Sequence, residues 1–465
     1  MNKQKAIYDT RLSKDLSVDS LAAIFKNKGV TSIYYKILSS NDNSKNQPYF
    51  AGHLTDLAFL PTGEITESKT ASGKNNNPAR QIKYTVSLNY SWLSAEGEVY
   101  SAPDAKLICY PQYPEVRLSG FVAKSGFDMG GWMDPLKKGR TKGRVLFVGA
   151  TKSKKILAFL AVPNSRIVKE IVDYPAVVVS GVFKKLVVNG NSAEISSKDL
   201  LLRELKRIHL QNWVRSKRLN RDGVVMPYTA QNGGGYTLEA ELGVIPNSYA
   251  DPDFMGWEIK QFGVTRCELI NSKALTLMTP EPDAGFYAEH GAEAFMRKYG
   301  YESPSTLDRM DFTGRHFAGE HCEKSGLILV FDGYDQENKV ITDASGCIAL
   351  LDSNGDLASA WTFAKIMEHW KRKHAKAAYI PSISRKEIDN TKSYNYCNNV
   401  RLFEGTTFNR LLQSMAESHV YYDPGIKLVN ASTNPRTKRR SQFRIKSSML
   451  SSLYEKQSDI DILED

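Results

Sequence analysis

The sequence predicts a two-domain protein in which a β-rich N-terminal domain precedes an α/β domain. Its length of 465 residues suits two or three cores, since a domain usually has about 100–200 residues. The first part of the chain contains short runs of β-branched and aromatic residues, whereas helical and extended patterns alternate in the rest. We place the boundary near 190–198, so the predicted domains are 1–195 and 196–465.

The N-terminal domain begins with a short helical segment, in which Leu21, Ile24 and Phe25 share one face. Strands are predicted where β-branched and aromatic residues cluster between Asn, Gly, Pro and Ser groups. These segments are 32–38, 81–92, 106–110, 144–148, 156–162 and 176–183, with 54–60 as a further candidate. Strands without long intervening helices indicate a barrel or a sandwich, and the polar stretch 66–78 is predicted to be a loop.

In the second domain, the helical spacing of Leu201, Leu205 and Ile208 predicts an opening helix over 197–219. Gly233-Gly-Gly235 lacks the Lys-Ser/Thr continuation of a phosphate-binding loop, so we interpret it as a flexible lead-in to the next helix. Further helices are predicted over 236–242 (closed by Gly243), 359–376 and 408–418, and strands over 256–261, 275–278, 326–331 and 377–380.

Composition favours a polyanionic partner and an intracellular protein. Lys plus Arg outnumber Asp plus Glu by 62 to 51, a net charge of +11, although many basic proteins do not bind nucleic acid. We expect no membrane segment, because there is no run of about 18 apolar residues and the polar start lacks a secretory h-region. The five cysteines are odd in number and far apart, which predicts no disulfide framework and a cytoplasmic location.

The segment Asp253-Phe-Met-Gly-Trp-Glu258-Ile-Lys260 carries the strongest chemical pattern. On a strand, Glu258 and Lys260 project from one face and Ile259 from the other, while Asp253 in the preceding turn can bring its carboxylate beside Glu258. Adjacent carboxylates repel each other unless a cation lies between them, and oxygen ligands suit Mg²⁺. Lysine can orient an attacking water or stabilise charge on a phosphoryl group, so the pattern predicts metal-assisted phosphodiester hydrolysis.

A surface ion pair is the usual explanation of an arbitrary D-x₄-E-x-K match. Here the charged residues alternate with Phe254, Met255, Trp257 and Ile259, which indicates a half-buried element. Buried charges are costly without partners and are usually kept for function or a metal.

Two glutamates on the preceding helix are further candidates. Glu239 and Glu241 lie about 200° apart around a helix, so only one of them can face the site. Leu238 and Leu242 mark the buried face, which favours Glu239 as the residue that points inward, although a solvated position explains it equally well.

The order of motifs resembles the MvaI/BcnI family of restriction endonucleases, a PD-(D/E)xK group close to the MutH branch. The resemblance extends over about 200–446. Its motifs are Leu238-Glu-Ala-Glu-Leu-Gly243, Pro246-Asn247, Asp251-Pro-Asp253 with the segment through Lys260, Leu275-Thr-Leu-Met-Thr-Pro-Glu-Pro-Asp283, Phe312-Thr-Gly314, Leu402-Phe-Glu-Gly-Thr406 and Tyr422-Asp-Pro-Gly425.

This resemblance implies a Mg²⁺-dependent type II restriction endonuclease that cleaves double-stranded DNA. It implies that Asp253, Glu258 and Lys260 are catalytic, that Asp253 and Glu258 bind the metal, and that Glu239 replaces the helix glutamate of MutH-type enzymes. It further implies a monomer that cuts one strand and then reorients, a short C/G-rich pseudopalindromic site, and a cognate methyltransferase as genetic neighbour. A nicking or MutH-like repair nuclease and a catalytically inactive DNA-binding regulator remain as alternatives.

A second resemblance lies in the N-terminal domain. Tyr35-Lys-Ile-Leu38-Ser-Ser-Asn41-Asp42, followed by Ser44-Lys45-Asn46-Gln47, is similar to the start of the EcoRII-type effector domain. This resemblance implies a B3-like pseudobarrel that binds DNA, with a second copy of the site as one candidate ligand. The polar residues implied to contact DNA are Asn41, Asp42, Lys45, Asn46 and Gln47.

The C-terminal segment 430–446 holds six cations and no acid, and it is a candidate for DNA contact. Arg can bind guanine O6 and N7, Gln can bind adenine, and Lys mainly neutralises phosphate. Alternation of Phe443 and Ile445 with polar residues predicts a strand rather than a disordered basic tail. The candidate residues are Arg436, Lys438, Arg439, Arg440, Gln442 and Arg444.

One further cluster lies close together in the sequence. His316, His321 and Cys322 lack a second ligand pair at zinc-site spacing, so we predict no zinc site there.

Overall fold

The structure is a computed structural model, and it describes every residue except 1–4, 10–12, 41–46, 70–81, 130, 135, 181, 189–195, 246–251, 269–271, 371–373 and 465. The chain divides into two compact units. Met1–Asn76 and Gln81–Glu194 form the N-terminal unit, and Ile195–Asp465 is the main part of the C-terminal unit.

The described part of the N-terminal unit is rich in strands. They are β1 (Ala6–Ile7), β2 (Val30–Leu38), β3 (Tyr49–Ala51), β4 (Ile65–Lys69), β5 (Ile82–Ser87), β6 (Tyr90–Leu93), β7 (Val99–Ser101), β8 (Lys106–Tyr110), β9 (Glu115–Ser119), β10 (Phe127–Asp128), β11 (Arg144–Thr151), β12 (Ile156–Ala161), β13 (Ala176–Ser180) and β14 (Phe183–Leu186). Two helices, α1 (Val18–Asn27) and α2 (Arg166–Glu170), accompany them.

These strands form two larger open sheets. One has the order β13-β14-β2-β11-β12-β6-β7, the other has the order β3-β9-β8-β5-β4, and β1 pairs with β10. Among the described strands neither sheet closes into a barrel, because its two end strands do not pair with each other. The prediction of a strand-rich unit is confirmed.

The core of the N-terminal unit lies between the first sheet and α1. Leu21 and Phe25 of α1 pack with Tyr35, Phe147 and Phe159, and all five side chains are almost completely buried. The helix begins after Ser17, whose hydroxyl accepts a hydrogen bond from the Ser20 N–H at 3.1 Å and so satisfies a free donor of the first turn.

Two strand predictions for this unit are corrected. Segment 54–60 contains a 3₁₀ turn (Leu54–Leu57) instead of a strand, since the Asp56 carboxylate accepts from the His53 N–H at 2.9 Å and closes the backbone into a turn. The predicted run 81–92 is two strands, β5 and β6. The predicted loop 66–78 starts inside β4, and its remainder lies outside the described residues.

The described part of the C-terminal unit mixes strands with five helices. Its strands are β15 (Val214–Arg215), β16 (Lys217–Leu219), β17 (Val225–Pro227), β18 (Glu258–Gly263), β19 (Ala274–Met278), β20 (Tyr301–Glu302), β21 (Arg309–Thr313), β22 (Ile328–Asp332), β23 (Tyr334–Asp335), β24 (Val340–Ile341), β25 (Cys347–Leu351), β26 (Leu357–Thr362), β27 (Lys376–Lys386), β28 (Lys392–Tyr396), β29 (Asn399–Glu404), β30 (Val420–Tyr422), β31 (Gly425–Val429), β32 (Arg436–Lys438), β33 (Phe443–Lys446) and β34 (Lys456–Asp461). Its helices are α3 (Ser197–Leu210), α4 (Gly233–Glu241), α5 (Phe286–Tyr299), α6 (Phe363–Trp370) and α7 (Phe408–Ala416).

The largest sheet of this unit has the order β15-β28-β27-β29-β34, and β18 pairs in parallel with β27. Ile259, Ala378 and Ile380 project from one face and pack against Leu201 and Leu205 of α3. Smaller sheets β19-β33-β30, β20-β21-β31-β32 and β22-β25-β26 lie elsewhere in the unit. The α/β character predicted from the sequence is confirmed.

Two predicted helices are too long. The opening helix ends at Leu210 because Asn212, with φ of 60°, takes the left-handed conformation that stops helices, and β15 and β16 follow. The predicted helix 359–376 is a strand, β26, followed by the short helix α6, and Lys376 already belongs to β27. Pairing of β26 with β25 overrides the helical spacing that the sequence shows here.

The prediction that the cysteines form no disulfide framework is wrong for one pair. Cys267, after β18, is bonded to Cys397, after β28, although 130 residues separate them in the sequence. Spacing along the chain cannot show this pair, because the fold alone brings the two segments together. Among the described helices, none combines the length and the apolar character that crossing a membrane requires.

Candidate active site

A tight turn reverses the chain immediately before β18. The backbone groups of Phe254 and Trp257 bond to each other in both directions, at 2.9 and 2.8 Å. The two residues between them, Met255 and Gly256, have φ of 46° and 90°, as a two-residue hairpin turn of the primed kind requires. The residues outside this pair, Asp253 and Glu258, therefore lie opposite each other.

The Asp253 carboxylate is held at the start of β18. Its Oδ2 atom accepts a hydrogen bond from the backbone N–H of Ile259 at 2.9 Å. This bond orients the side chain toward the strand, so the turn and the hydrogen bond together bring Asp253 to the beginning of the Glu258–Lys260 segment.

Glu258 and Lys260 project from the same face of β18. The Lys260 ammonium lies 2.7 Å from Oε1 of Glu258, and the two side chains are 24% and 1% exposed, respectively. Ile259 points to the opposite face and joins the core beneath α3. A carboxylate this deeply buried requires compensating charge, and the lysine supplies part of it while its own end reaches the surface.

A buried tyrosine pair lies on the same face of the sheet. Tyr379 is the register partner of Lys260 on β27, and its hydroxyl is 3.5 Å from that of Tyr454. Burial raises the pKa of Tyr379, and the charge of Glu258 raises it further. Burial likewise raises the pKa of Tyr454, whose hydroxyl is 3.5 Å from Nδ1 of the buried His374. None of these residues was predicted from the sequence, because Tyr379 is brought near Glu258 by the register of β18 with β27, and Tyr454 and His374 by their packing against Tyr379.

On α4 the two glutamates have different surroundings. Leu238 and Leu242 are buried, as predicted. Glu241 pairs with Lys217 and with Arg207 (3.2 Å) and accepts from Gln211 (2.9 Å). Burial raises its pKa, but these partners lower it more, so the net pKa is below the ordinary value. Glu239 is half-buried on the same helix.

The three glycines form the first turn of α4 and are not a flexible lead-in. A Cβ on Gly233 would lie 2.6 Å from the Ser216 hydroxyl oxygen and 2.7 Å from the Tyr394 hydroxyl oxygen. On Gly234 it would lie 2.5 Å from the side-chain oxygen of Gln261, the residue after Lys260. Glycine is needed because the helix approaches β18 this closely.

The side-chain ligands that this site offers to a metal ion are two carboxylates. Among the described residues, no three His, Cys, Asp or Glu side chains are grouped to hold a metal ion. Asp253 and Glu258 offer oxygen ligands only, which suits a cation such as Mg²⁺ that keeps several waters and takes one or two carboxylates. Their chemistry therefore fits such an ion, with water and substrate as the remaining ligands.

Comparison with known proteins identifies the family. Residues 202–454, more than half of the chain, match the family described as the MvaI/BcnI restriction endonuclease family. The chain belongs to this family. It is accordingly a type II site-specific deoxyribonuclease, and residues 253–260 lie inside the matched region.

Two solved structures of the restriction endonuclease MvaI resemble the chain. One, a complex with cognate DNA substrate, is 19% identical, covers 57% of this chain and 99% of its own, and has a TM-score of 0.43. The other, without DNA, is 20% identical, covers 58% and 99%, and has a TM-score of 0.33. A comparison with curated proteins gave no significant match. The family assignment therefore rests on the sequence match.

The basic C-terminal segment of this MvaI/BcnI-family chain is ordered into β32 and β33, as the alternating pattern predicted. Two of the side chains predicted to contact DNA instead contact other residues of the protein. The Gln442 amide oxygen accepts from Thr276 at 3.2 Å, and Arg444 pairs with Asp423 at 2.7 Å. The remaining four are exposed, and no carboxylate pairs with them among the described residues. They are Arg436, Lys438, Arg439 and Arg440.

Most of the predicted N-terminal contact residues lie outside the described residues. These are Asn41, Asp42, Lys45 and Asn46. Gln47 is described: its side-chain amide donates to the Ser119 hydroxyl at 3.4 Å, and its backbone carbonyl accepts from Arg117 at 3.1 Å.

The histidine and cysteine cluster is an internal hydrogen-bonded group. His316 is fully buried and its Nε2 is 2.7 Å from the Ser325 hydroxyl. Burial raises the pKa of the Cys322 thiol, but hydrogen bonds with His316 and Ser325 and the charge of His316 lower it more, to about 6. His321 is exposed, with its Nδ1 3.4 Å from the Gly326 carbonyl oxygen.

Proposed function

We propose that the enzyme hydrolyses phosphodiester bonds of double-stranded DNA at a short, C/G-rich pseudopalindromic site, with Mg²⁺ as cofactor. Asp253 and Glu258 are the metal ligands and Lys260 acts on the reacting phosphate. The observation that carries this proposal is the turn over Met255 and Gly256, which brings Asp253 to the strand from which Glu258 and Lys260 project together.

Each residue has a separate task in this proposal. When bound, Mg²⁺ supplies Lewis acidity and lowers the pKa of a coordinated water. Glu258 and Asp253 provide negative charge at a position fixed by the turn. Lys260, only partly buried, is able to turn from Glu258 toward substrate and to stabilise charge that develops on the phosphate. Glu239 is a further candidate for the catalytic set, on the helix packed against β18.

DNA recognition is assigned to the basic segment. The four exposed cations, Arg436, Lys438, Arg439 and Arg440, are the direct contacts, since their charge is not neutralised by a described carboxylate. Gln442 is bonded to Thr276 and Arg444 to Asp423, and these contacts stabilise β33. The two side chains can contact DNA only if they give up these partners. Arg is suited to guanine and Lys to phosphate.

We further propose that residues 1–195 form a DNA-binding, B3-like effector domain and residues 196–465 the nuclease domain. The strand-rich N-terminal unit and the net charge of +11 support the DNA-binding assignment. The enzyme is proposed to act as a cytoplasmic monomer, accompanied by a methyltransferase that protects the host site.

Plasmid digestion tests the proposed activity. With Mg²⁺ we expect a linear product from a supercoiled plasmid with one site, and with EDTA no product. A nicked circle as the final product would instead favour a nicking or MutH-like repair nuclease. Binding without any cutting would favour an inactive regulator. A ladder without sequence preference would contradict site-specific cleavage.

A further inference from the structure

The N-terminal unit contains a cavity of about 170 Å³ beside the end of β2. Its wall is polar and carries three cationic side chains, an aromatic ring and two serines. These residues are Lys36, Arg117, Arg144, Tyr49, Ser39 and Ser40. The cavity lies far from the proposed catalytic residues in the sequence and plays no part in the chemistry assigned to them.

Lys36 is buried, and no carboxylate among the described residues pairs with it. It is 6% exposed, and its ammonium lies 5.3 Å from the centre of the Tyr49 ring. Within the part of the chain that the structure describes, neither a carboxylate nor a hydrogen-bond acceptor contacts this ammonium. Burial lowers the pKa of Lys36 to about 8. A buried cation is costly unless an anion compensates it, and the cavity provides space for one.

The two arginines differ in how far their charge is neutralised. Arg117 pairs with Glu115, with Nε to Oε1 at 2.7 Å. Arg144 is 3% exposed and donates to the carbonyl oxygens of Trp132 (2.9 Å) and Thr141 (2.9 Å), which carry no net charge. Among the residues that the structure describes, no carboxylate therefore compensates the positive charges of Lys36 and Arg144 at this cavity.

We infer that this cavity binds a phosphate group, and that its occupant is a backbone phosphodiester of duplex DNA. Exposed cations immediately precede Arg144 in the sequence and favour a polyanion over a small free phosphate. They are Lys137, Lys138, Arg140 and Lys142. Contacts to phosphates position a protein on DNA without reading the sequence. This inference rests on the proposed DNA-binding function of the N-terminal unit and adds a specific contact to it.

The test uses the full-length protein in EDTA and the variant Lys36→Met. Lys28→Met is the matched control, since the exposed Lys28 precedes the other end of β2. Anisotropy with a labelled duplex should show roughly fivefold to tenfold weaker binding for Lys36→Met and a slope of log K against log salt reduced by about 1. The control should change neither. Lys36→Gln gives a second neutral variant if Lys36→Met folds poorly.

Thermal stability separates a binding role from a structural one. Without added anions, Lys36→Met should melt at the same temperature as the parent or higher, because it removes a buried charge that no described carboxylate compensates. A substantially lower melting temperature for both neutral variants would overturn the inference, since Lys36 would then stabilise the fold itself.

Inorganic phosphate provides the second probe, at constant ionic strength. Phosphate should raise the melting temperature of the parent more than that of Lys36→Met. A different outcome is that phosphate stabilises the parent more than Lys36→Met while the two proteins have the same duplex affinity and salt slope. That result would overturn the assignment of a DNA phosphodiester to the cavity, and the ligand would be free phosphate. If neither probe distinguishes the variant, the site is overturned. A parent protein that binds no duplex would refute the proposed DNA-binding function, while the phosphate probe still decides the site.

Discussion

Gly256 and Met255 determine where Asp253 lies, and both have left-handed backbone conformations. A Cβ on Gly256 would contact nothing within 4 Å, so the cost of Gly256→Ala is conformational only. We expect this change to lower the free energy of unfolding by about 1 kcal/mol, because alanine adopts a left-handed conformation only with strain. Cleavage should also slow, because the strained turn is the one that positions Asp253. Denaturant unfolding and single-turnover cleavage measure the two effects.

Met255→Gly is the matched control for that prediction. It relieves a left-handed conformation that a side chain adopts at a cost, so the turn itself should be kept and cleavage should remain near the parental rate. Equal cleavage rates for Gly256→Ala and the parent would show that the turn does not control the site.

For single residues, much of the candidate site could be predicted from the sequence. The alternation of charged and apolar residues around Glu258 was enough to predict that Ile259 faces the core and that Lys260 shares the face of Glu258. Tyr379 and Tyr454 could not be found in this way. Tyr379 lies near Glu258 through the pairing of β18 with β27, and Tyr454 through its contact with Tyr379, and no local pattern encodes either contact.

Helix α4 offers an element-scale test through two adjacent glycines. A Cβ on Gly234 would lie 2.5 Å from the Gln261 side chain and 3.1 Å from the Tyr394 ring, whereas a Cβ on Gly235 would meet nothing within 4 Å. We expect Gly235→Ala to stabilise the protein by about 0.5–1 kcal/mol through helix propensity. Gly234→Ala should destabilise it and slow cleavage, because Gln261 lies next to Lys260 on β18.

Thermal unfolding and cleavage rates of both variants check this contrast. If Gly234→Ala were as stable and as active as Gly235→Ala, the close packing of α4 on β18 would not be required for the site.

Elements were predictable where local pattern and tertiary pairing agree. Helix α7 and strand β33 agree with their predictions within a few residues, and Gly243, with φ of 72°, follows α4 as expected. The prediction of a helix over 359–376 failed, because β26 pairs with β25 and only Phe363–Trp370 is helical. Helical spacing of apolar residues cannot reveal that partner strand.

For the whole molecule, the division into two units predicts that the nuclease part works without the N-terminal part. A fragment of residues 196–465 contains every proposed catalytic residue, so it should fold and cleave. It should cleave more slowly than the full chain at low enzyme concentration, since local tethering to DNA is lost, and the deficit should shrink as concentration rises. Cleavage rates on plasmids with one and two sites measure this.

Either of two results would contradict that division. A folded but inactive fragment would show that the N-terminal unit completes the active site. Identical rates for fragment and full chain at every concentration would show that the N-terminal unit has no role in DNA engagement.

The most direct test of the catalytic assignment is to measure DNA binding and cleavage side by side for Lys260→Ala. Lys260 is 24% exposed, so its end is able to reach the reacting phosphate, and a thermal unfolding curve of the variant controls for the loss of its ion pair with the buried Glu258. We predict that cleavage with Mg²⁺ falls by at least about a hundredfold while affinity for site-containing DNA stays within about threefold. Cleavage by Lys260→Ala within about tenfold of the parental rate would contradict the account.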